Sequence, residues 1–514
     1  MNRKLISFLI LIIVLMKMSQ VTFNVQKVKA SGSIEIRADG LVDPPGTPIL
    51  NVSNVTYTFA SDISGSIVVR RSNIVIDGNG HALEGLGYDK GFYLNGTRNV
   101  TIKNTKIQDF KDNGINFYRT SNNTICRNTI TTNGDGICLD YSLNTTIVGN
   151  VITANKYNGI NLRWSPDNTI SGNNITSNYY GLRFDEAHRN MIIGNVVTKN
   201  KMYGIHLYMS YDNTIAENLI ETSTDHGIYL LRSLGNTLAE NIIIKNKDDG
   251  IHLHMSFNNT IIRNNIDTNG DGISLSASSN NTISGNTLFL NNYDGLYLYD
   301  SFSNSIHHNN FIDNSHQWRS IVSANVWDNG FEGNYWSNYA GIDLNQDGIG
   351  DTPYIMDENN ADHYPLIGRF HSFNTSLGYY VNVISNSTIE DFQYFKSNST
   401  IRMHVSNITA AQTFGFCKVC IPKGLMPPPY VVIIDEGLTE VLHLNETIYD
   451  NGTHIWIYFA YEHSTHKVAI IHEHTQYDNY YLLFMTTTFS IIATLLAVIF
   501  YRRKLAKAKQ QVLK

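Results

Sequence analysis

Residues able to do chemistry recur on one register of this chain, two and four positions after a glycine that returns through residues 114–295. At the second position stand Asn116, Cys138, Asn161, Arg183, His206, Tyr229, His252, Ser274 and Tyr297. At the fourth stand Tyr118, Asp140, Arg163, Asp185, Tyr208, Leu231, His254, Ser276 and Tyr299. If both rows leave a strand on its outer side, they form one flat face. Such a face suits sugar: aromatic rings stack on pyranose faces, while Asp and Arg bond hydroxyls or uronate carboxylates. Asp140, Arg163, Arg183 and Asp185 would be its charged middle, with His206, Tyr208, Tyr229, His252 and His254 beyond. An ordinary solvated β-face also favours tyrosine, so the row by itself leaves both readings open.

Catalysis makes stricter demands. A glycosidase needs two carboxylates roughly 5–10 Å apart at one cleft. Asp140 and Asp185 are two coils apart, ~10 Å at strand spacing, but Arg163 stands between them. A lyase would use an arginine or a similar base to abstract a proton. Neither mechanism is demanded by the residues.

Two motifs suggest metals. Asp343, Asn345, Asp347, Ile349 and Asp351 stand at positions 1, 3, 5, 7 and 9 of a loop with Gly348 at position 6. That is the front half of a calcium loop, with Ile349 giving a backbone carbonyl. Position 12 is Tyr354 where a bidentate glutamate is usual, so Asp357 or Glu358 would have to substitute. His252 and His254 project from one strand face beside Met255 as a candidate pair of metal ligands. His206 lies two coils away, ~9–10 Å, too far for the same ion. His463, His466, His472 and His474 form a second cluster near the end of the chain, of a kind that suits copper or zinc.

The elements that position these residues are repeats. Gly114, Gly136, Gly159, Gly181, Gly204, Gly227, Gly250, Gly272 and Gly295 follow one another at 22 or 23 residues. After each glycine, positions +1 and +3 are Ile, Leu or Phe, and further apolar residues stand at +11 and +16. Position +14 is asparagine in all nine coils, and +9 and +19 in all but Thr145 and Ser223. Asparagine tolerates left-handed backbone angles at bends and can stack into an amide ladder. Short strands with no helical period predict an all-β, right-handed parallel β-helix, a rod on the order of 43 Å for nine coils. Less regular coils precede it, around Ile67–Val69, Ile74–Asp77 and 91–94.

The ends predict export and anchoring. Arg3 and Lys4 precede an apolar run from Leu5 to Met16, with a cleavage site at Val28-Lys29-Ala30, so residues 1–30 read as a signal peptide. Residues 480–501 read as a membrane-spanning helix, and the basic tail 502–514 would then be cytoplasmic. The β-helix with its N-terminal cap takes residues 31–318, a closing cap 319–368, and a β-sandwich 369–479. The expected setting is the cell surface, with the ectodomain outside.

Composition agrees with export. Only 16% of residues are charged, the net charge is -6, and no basic stripe suggests nucleic acid. Asn386, Asn398, Asn407, Asn445 and Asn451 open glycosylation sequons. Four cysteines are too few for a disulfide scaffold; Cys417 and Cys420 form either a local disulfide or two buried thiols.

Coils reading Asn-Gly-Ile-x-Leu, Asn-Thr-Ile and Gly-Asn-x-Ile resemble the NosD-type and carbohydrate-binding/sugar-hydrolase β-helix repeat families. Gly333-Asn334-Tyr335-Trp336-Ser337, then Gly348 through Tyr354, then His363-Tyr364-Pro365-Leu366 resemble the closing signature of NosD-like proteins. The plan as a whole resembles membrane-anchored archaeal surface proteins of that type. The resemblance covers roughly residues 60–368 and implies a β-helix and, for NosD itself, a part in copper-centre maturation. The leading expectation is a surface module that binds polysaccharide or another cell-envelope component. A polysaccharide lyase or hydrolase and a copper-handling accessory protein are the alternatives.

Overall fold

The computed structural model describes residues 33–435, 440–443, 449–462 and 464–472. The expected signal peptide, membrane-spanning segment and basic tail, with His463 and His474, lie outside the described residues. Among the described residues every regular element is a strand, and no helix is long and apolar enough to cross a membrane. The chain forms two compact units, one running to Ala340 and including Thr352–Pro365, the other made of Gly341–Asp351 and the chain from Leu366.

The first unit is a right-handed-type parallel β-helix of about 12 coils. Each coil gives one short strand to each of three sheets of 14, 14 and 13 strands. Successive coils pair in register: Ile228 sits beside Ile251, and Ile251 beside Ile273. The coil opening at Gly227 shows why the sequence folds this way. Ile228, Leu230, Leu238 and Ile243 all point inward and are fully buried, and their counterparts do the same along the rod. Each such side chain contributes roughly 1.5–3 kcal/mol, but only when the next coil covers it.

The corners follow one rule. In that coil Arg232, Gly235, Glu240 and Lys245 take left-handed φ angles of 51°, 65°, 56° and 54°. Each is followed at once by an inward polar residue: Ser233, Asn236, Asn241 and Asn246, all buried. Asn241 Nδ2 donates to Ile215 O at 2.8 Å and to Asn264 Oδ1 at 2.9 Å. Its Oδ1 accepts from the backbone N–H and the Nδ2 of Asn218, both at 3.0 Å. All three asparagine rows therefore face inward as ladders, and serine adds a fourth, with Ser210 N donating to Ser233 Oγ at 3.1 Å. The left-handed angle belongs to the residue before each ladder asparagine and not to the asparagine. The turn swings the next side chain into the core, where the amide reaches the carbonyls and amides of adjacent coils. A non-glycine left-handed corner costs ~1–2 kcal/mol, which the buried ladder offsets.

The second unit pairs its strands in two five-stranded antiparallel sheets. Val381, Val419 and Ile457 of one sheet share a buried cluster with Ile401, Val432 and Ile470 of the other. Cys417 and Cys420 lie buried on the same strand, Phe414–Pro422, and are not joined in a disulfide.

Candidate functional site

Each repeat glycine sits where two chains nearly touch. A Cβ on Gly250 would lie 2.7 Å from Gly272 O and 2.7 Å from Ile266 Cγ2. The missing side chain therefore points into the core, and so does the next residue, Ile251. Two inward positions in a row break the strand's alternation. As a result, the residue before the glycine and the residue two after it emerge on the same outer side.

This changes the expected face. The +2 row is not flat or open: Asn116, Cys138, Asn161, His206 and Ser274 are buried. The side chains that come against the row precede the glycines, among them Asn158, Tyr180, Tyr203, His226 and Asp249. The +4 row, including Asp140, Arg163, Asp185, Tyr208 and His254, stays partly exposed.

The charged middle resolves into two ion pairs. Arg163 Nε and Nη2 grip Asp140 at 2.5 and 2.9 Å across neighbouring coils. Arg183 Nη2 lies 3.2 Å from Asp185 on its own strand. Asp140 and Asp185 are thus each matched to an arginine, and the structure does not bring them together as an acid–base couple. Cys138 lies under the first pair, its Sγ 3.7 Å from Asp140 Oδ2. Burial pushes its thiol above the ordinary range, and Asp140 adds to the shift, so it is no thiolate nucleophile.

The aromatic and histidine residues form one continuous stack. His206 lies parallel to Tyr229 at 5.2 Å, and Tyr203 parallel to His226 at 5.5 Å. His226 stacks on His252 at 4.6 Å, and His252 is 6.4 Å from His254. Burial lowers the His206 pKa to about 4, with Arg183 and His226 adding to the effect. His254 is lowered as well, by burial first and then by His252 and Arg232.

Within this stack the donor atoms of His226, Asp249 and His252 lie within 4.8 Å of one another. Asp225, His226 and Asp248 form a second such group sharing His226. His252 Nδ1 is 2.6 Å from Asp249 Oδ2, and His226 Nδ1 is 3.5 Å from that same oxygen. The backbone N–H of Asp249 also donates to His226 Nδ1 at 3.2 Å. On the other edge of the ring, His226 Nε2 lies 3.4 Å from Asp225. His226 Nδ1 accepts the Asp249 N–H and so carries no proton there, and burial is the main cause lowering the ring's pKa. The sequence reading named His252 but not His226 or Asp249. Their signal is the column before each glycine, which runs Tyr180, Tyr203, His226, Asp249, Asp271, Asp294.

The family model described as "Periplasmic copper-binding protein (NosD)" matches residues 45–202 and 184–341. The chain belongs to the NosD family. No curated protein matches it. Solved structures similar to this NosD-family chain include the periplasmic alginate epimerase AlgG, at 16% identity and TM-score 0.41, covering 58% of this chain and 82% of that one. The Dettilon tailspike protein gp208 is 14% identical with TM-score 0.35, covering 79% and 88%. The A-module of the Azotobacter vinelandii mannuronan C-5 epimerase AlgE6 is 18% identical with TM-score 0.35, covering 54% and 81%.

The closing segment of this NosD-family chain ends the ladder. Asn334 accepts from Asn309 N at 3.0 Å, taking the place of the next coil's asparagine. Asp362 accepts from Asn334 N at 2.8 Å and from Trp336 Nε1 at 2.9 Å. Trp336 stacks on Phe311 at 4.3 Å, covering the last core row. The acidic loop 343–351 does not group with this cap, where the sequence reading put it, but with the second unit. Ile349 bridges to Leu366, and Gly348 packs near Lys418. Asp343 accepts from the N–H groups of Asp347 at 3.1 Å and Gly348 at 2.8 Å, and Asp351 from Leu344 N at 2.8 Å. Asn345 donates to Asp347 at 3.1 Å. Of the C-terminal histidines, His466 is bonded to Asp435 at 2.7 Å.

Proposed function

We propose that this chain is an extracytoplasmic NosD-type protein that binds a copper(II)-class ion through His226, Asp249 and His252. The observation that carries this reading is the convergence of two imidazoles and a carboxylate on two stacked coils, those of Gly227 and Gly250. Imidazole and carboxylate donors suit copper(II) or zinc, whereas calcium and magnesium prefer oxygen alone. Donor atoms bound at ~2.0–2.1 Å from one ion lie at most about 4.2 Å apart, so a 4.8 Å spread closes with small rotamer shifts. The ion would replace the proton now shared by His252 and Asp249. His226 would ligate either through Nε2 or by exchanging the Asp249 amide for the ion at Nδ1. The family description, which names copper, supports the choice among borderline ions.

Export and a membrane anchor, as the residues near the chain ends suggest, would place the site outside the cytoplasm, with residues 369–479 as a β-sandwich that precedes the anchor in sequence. Calcium at Asp343, Asn345, Asp347, Ile349 and Asp351 is a separate proposal. Titration with calcium chloride tests it, and absence of a binding heat would remove it.

The copper reading is tested by loading the full-length chain with copper(II) and measuring bound metal and the electron paramagnetic resonance spectrum. One equivalent with nitrogen hyperfine structure is expected. His252→Ala and Asp249→Ala each weaken binding tenfold or more. Unchanged copper content and spectrum in the His226→Ala/His252→Ala double variant would sink the reading.

A further inference from the structure

A second stretch of this outer row carries buried polar atoms that no protein group satisfies. Asn158 Oδ1, Asn161 Oδ1, Arg183 Nε and both ring nitrogens of His206 are buried and have no hydrogen-bond partner. Native proteins leave few such groups, because each costs ~1–3 kcal/mol when nothing pairs with it. Here they lie on the three consecutive coils that open at Gly159, Gly181 and Gly204, over ~10 Å along the coil stack. The residues are about nine-tenths buried at Asn158, Asn161 and His206, with exposures of 6%, 7% and 8%.

The orientation of the amides is fixed. Asn158 Nδ2 donates to Asp135 Oδ1 at 2.7 Å, and Asn161 Nδ2 to Asp135 Oδ2 at 3.0 Å. Flipping either amide would set its oxygen against a carboxylate, so the unpaired atoms are the acceptors. Arg183 Nε is a donor, and His206 offers one donor and one acceptor in its neutral form. The vacant valences are therefore mixed, with three acceptors and two donors.

Asp135, Tyr157, Asn158, Tyr179, Tyr180 and Arg183 line a cavity of about 420 Å³. Tyr157 and Tyr179 are 49% and 40% exposed, with Lys156 Nζ over one face of Tyr157 at 4.9 Å from its centroid. Tyr179 and Tyr180 meet edge to face at 5.0 Å and form a right-angled apolar corner. His206 lies behind this lining, its ring 5.9 Å from that of Tyr180.

We propose that this stretch is a glycan-binding subsite, in which sugar hydroxyls complete the hydrogen bonds of Asn158, Asn161, Arg183 and His206 while pyranose faces rest on Tyr157 and Tyr179. A hydroxyl both donates and accepts, so a run of hydroxyls answers a mixed set of vacancies that a purely anionic ligand would leave half unmet. Aromatic rings take up the apolar C–H faces of the same sugars. Arg183 adds a preference for a carboxylate-bearing sugar, since its Nε–H is free and its charge is only partly engaged by Asp185. This subsite is independent of the ion reading: it shares neither ligands nor coils with His226, Asp249 and His252.

The experiment is calorimetric titration of the full-length chain with a galacturonic acid hexamer and, separately, with cellohexaose. Binding of at least one is expected, with the uronate favoured and its affinity falling tenfold or more in Tyr179→Ala and in Arg183→Met. Tyr179 is exposed, so that variant keeps the fold, and an unchanged thermal midpoint confirms it. Chelator treatment leaves the affinity unchanged, which separates this subsite from the ion site. Absence of binding by either hexamer, or binding that both variants leave intact, overturns the proposal.

Discussion

His206 lies flat against Tyr229, with ring centroids 5.2 Å apart and planes 8° from parallel, while both of its ring nitrogens lack a partner. The pairing brings a buried histidine into an aromatic stack. Burial lowers its pKa to about 4, and Arg183 and His226 oppose the charge further. His307, held by burial and then by His308, and His371, by burial and then by Arg369, also stand at about 4.

These three histidines make the fold acid-labile in a defined window. In the unfolded chain each titrates near ~6.5, and in the folded chain near 4, so protonation favours the unfolded state between the two. Their contribution is complete above ~6.5 and is lost as pH falls towards 4. Below that the loss from these groups levels off. Thermal midpoints recorded from pH 7.5 to 4 are expected to fall mainly across this window. His307→Gln and His371→Gln are expected to shallow the fall, and a slope unaltered in the double variant would refute the assignment.

The glycines of the chain divide into two kinds with opposite tolerance. Gly250→Ala puts a methyl 2.7 Å from Gly272 O, a backbone atom that cannot move aside without shifting the next coil. A loss of about 1–3 kcal/mol or more is expected, read as a drop in denaturant midpoint. Gly172 is a left-handed corner with φ +60° and nothing within 4 Å of an added Cβ. Gly172→Asn is therefore expected to cost less than about 1 kcal/mol, because Arg263 and Glu240 already hold the equivalent corner. Equal losses at the two sites would show that glycine serves the same purpose in both.

The Asp140–Arg163 pair is structural in this reading. Arg163→Met leaves a carboxylate with 13% side-chain exposure without its cation, at a cost of about 1–3 kcal/mol. Arg163 itself is 43% exposed, which keeps the loss well below that of a fully buried pair. Copper and hexamer affinities of the folded variant are expected to match those of the unaltered chain. A selective loss of either affinity at full stability would place Asp140 or Arg163 in a binding site instead.

Much of the fold was legible because a solenoid repeats every structural demand on the same register. The glycine period gave the coil length, and Ile228, Leu230, Leu238 and Ile243 occupy the inward positions that period indexes. The outer face was misread at one step. Strict alternation puts Tyr203, His226 and Asp249 inside, and only the close approach at the glycine turns them out. A backbone contact between residues 22 or 23 apart has no signature in side-chain periodicity. His226 was hidden for that reason, although the polar column before the glycines was visible. The grouping of the acidic loop at Asp343 with the second unit has no local signature, because the packing of Gly348 near Lys418 is non-local.

The two exceptions in the asparagine rows give the sharpest test of the ladder. Thr145 interrupts the row at +9 and Ser223 the row at +19. At each gap a polar atom is stranded: Thr145 Oγ1 and Ser223 Oγ are buried without partners, and so is Asn123 Nδ2, which faces the first gap. The flanking asparagines are in place, since Thr145 N donates to Asn168 Oδ1 at 2.8 Å and Ser223 N to Asn246 Oδ1 at 3.0 Å. Thr145→Asn supplies an amide oxygen to Asn123 and continues the row. Ser223→Asn does the same beside Asn200. Each substitution is expected to stabilise the chain by roughly 0.5–1.5 kcal/mol, the net worth of a buried hydrogen bond, and to raise the thermal midpoint. A rise in the double variant close to the sum of the two is expected, because the gaps lie on different rows and distant coils. Destabilisation by both would mean that the ladders are a consequence of coil stacking and not a source of its stability.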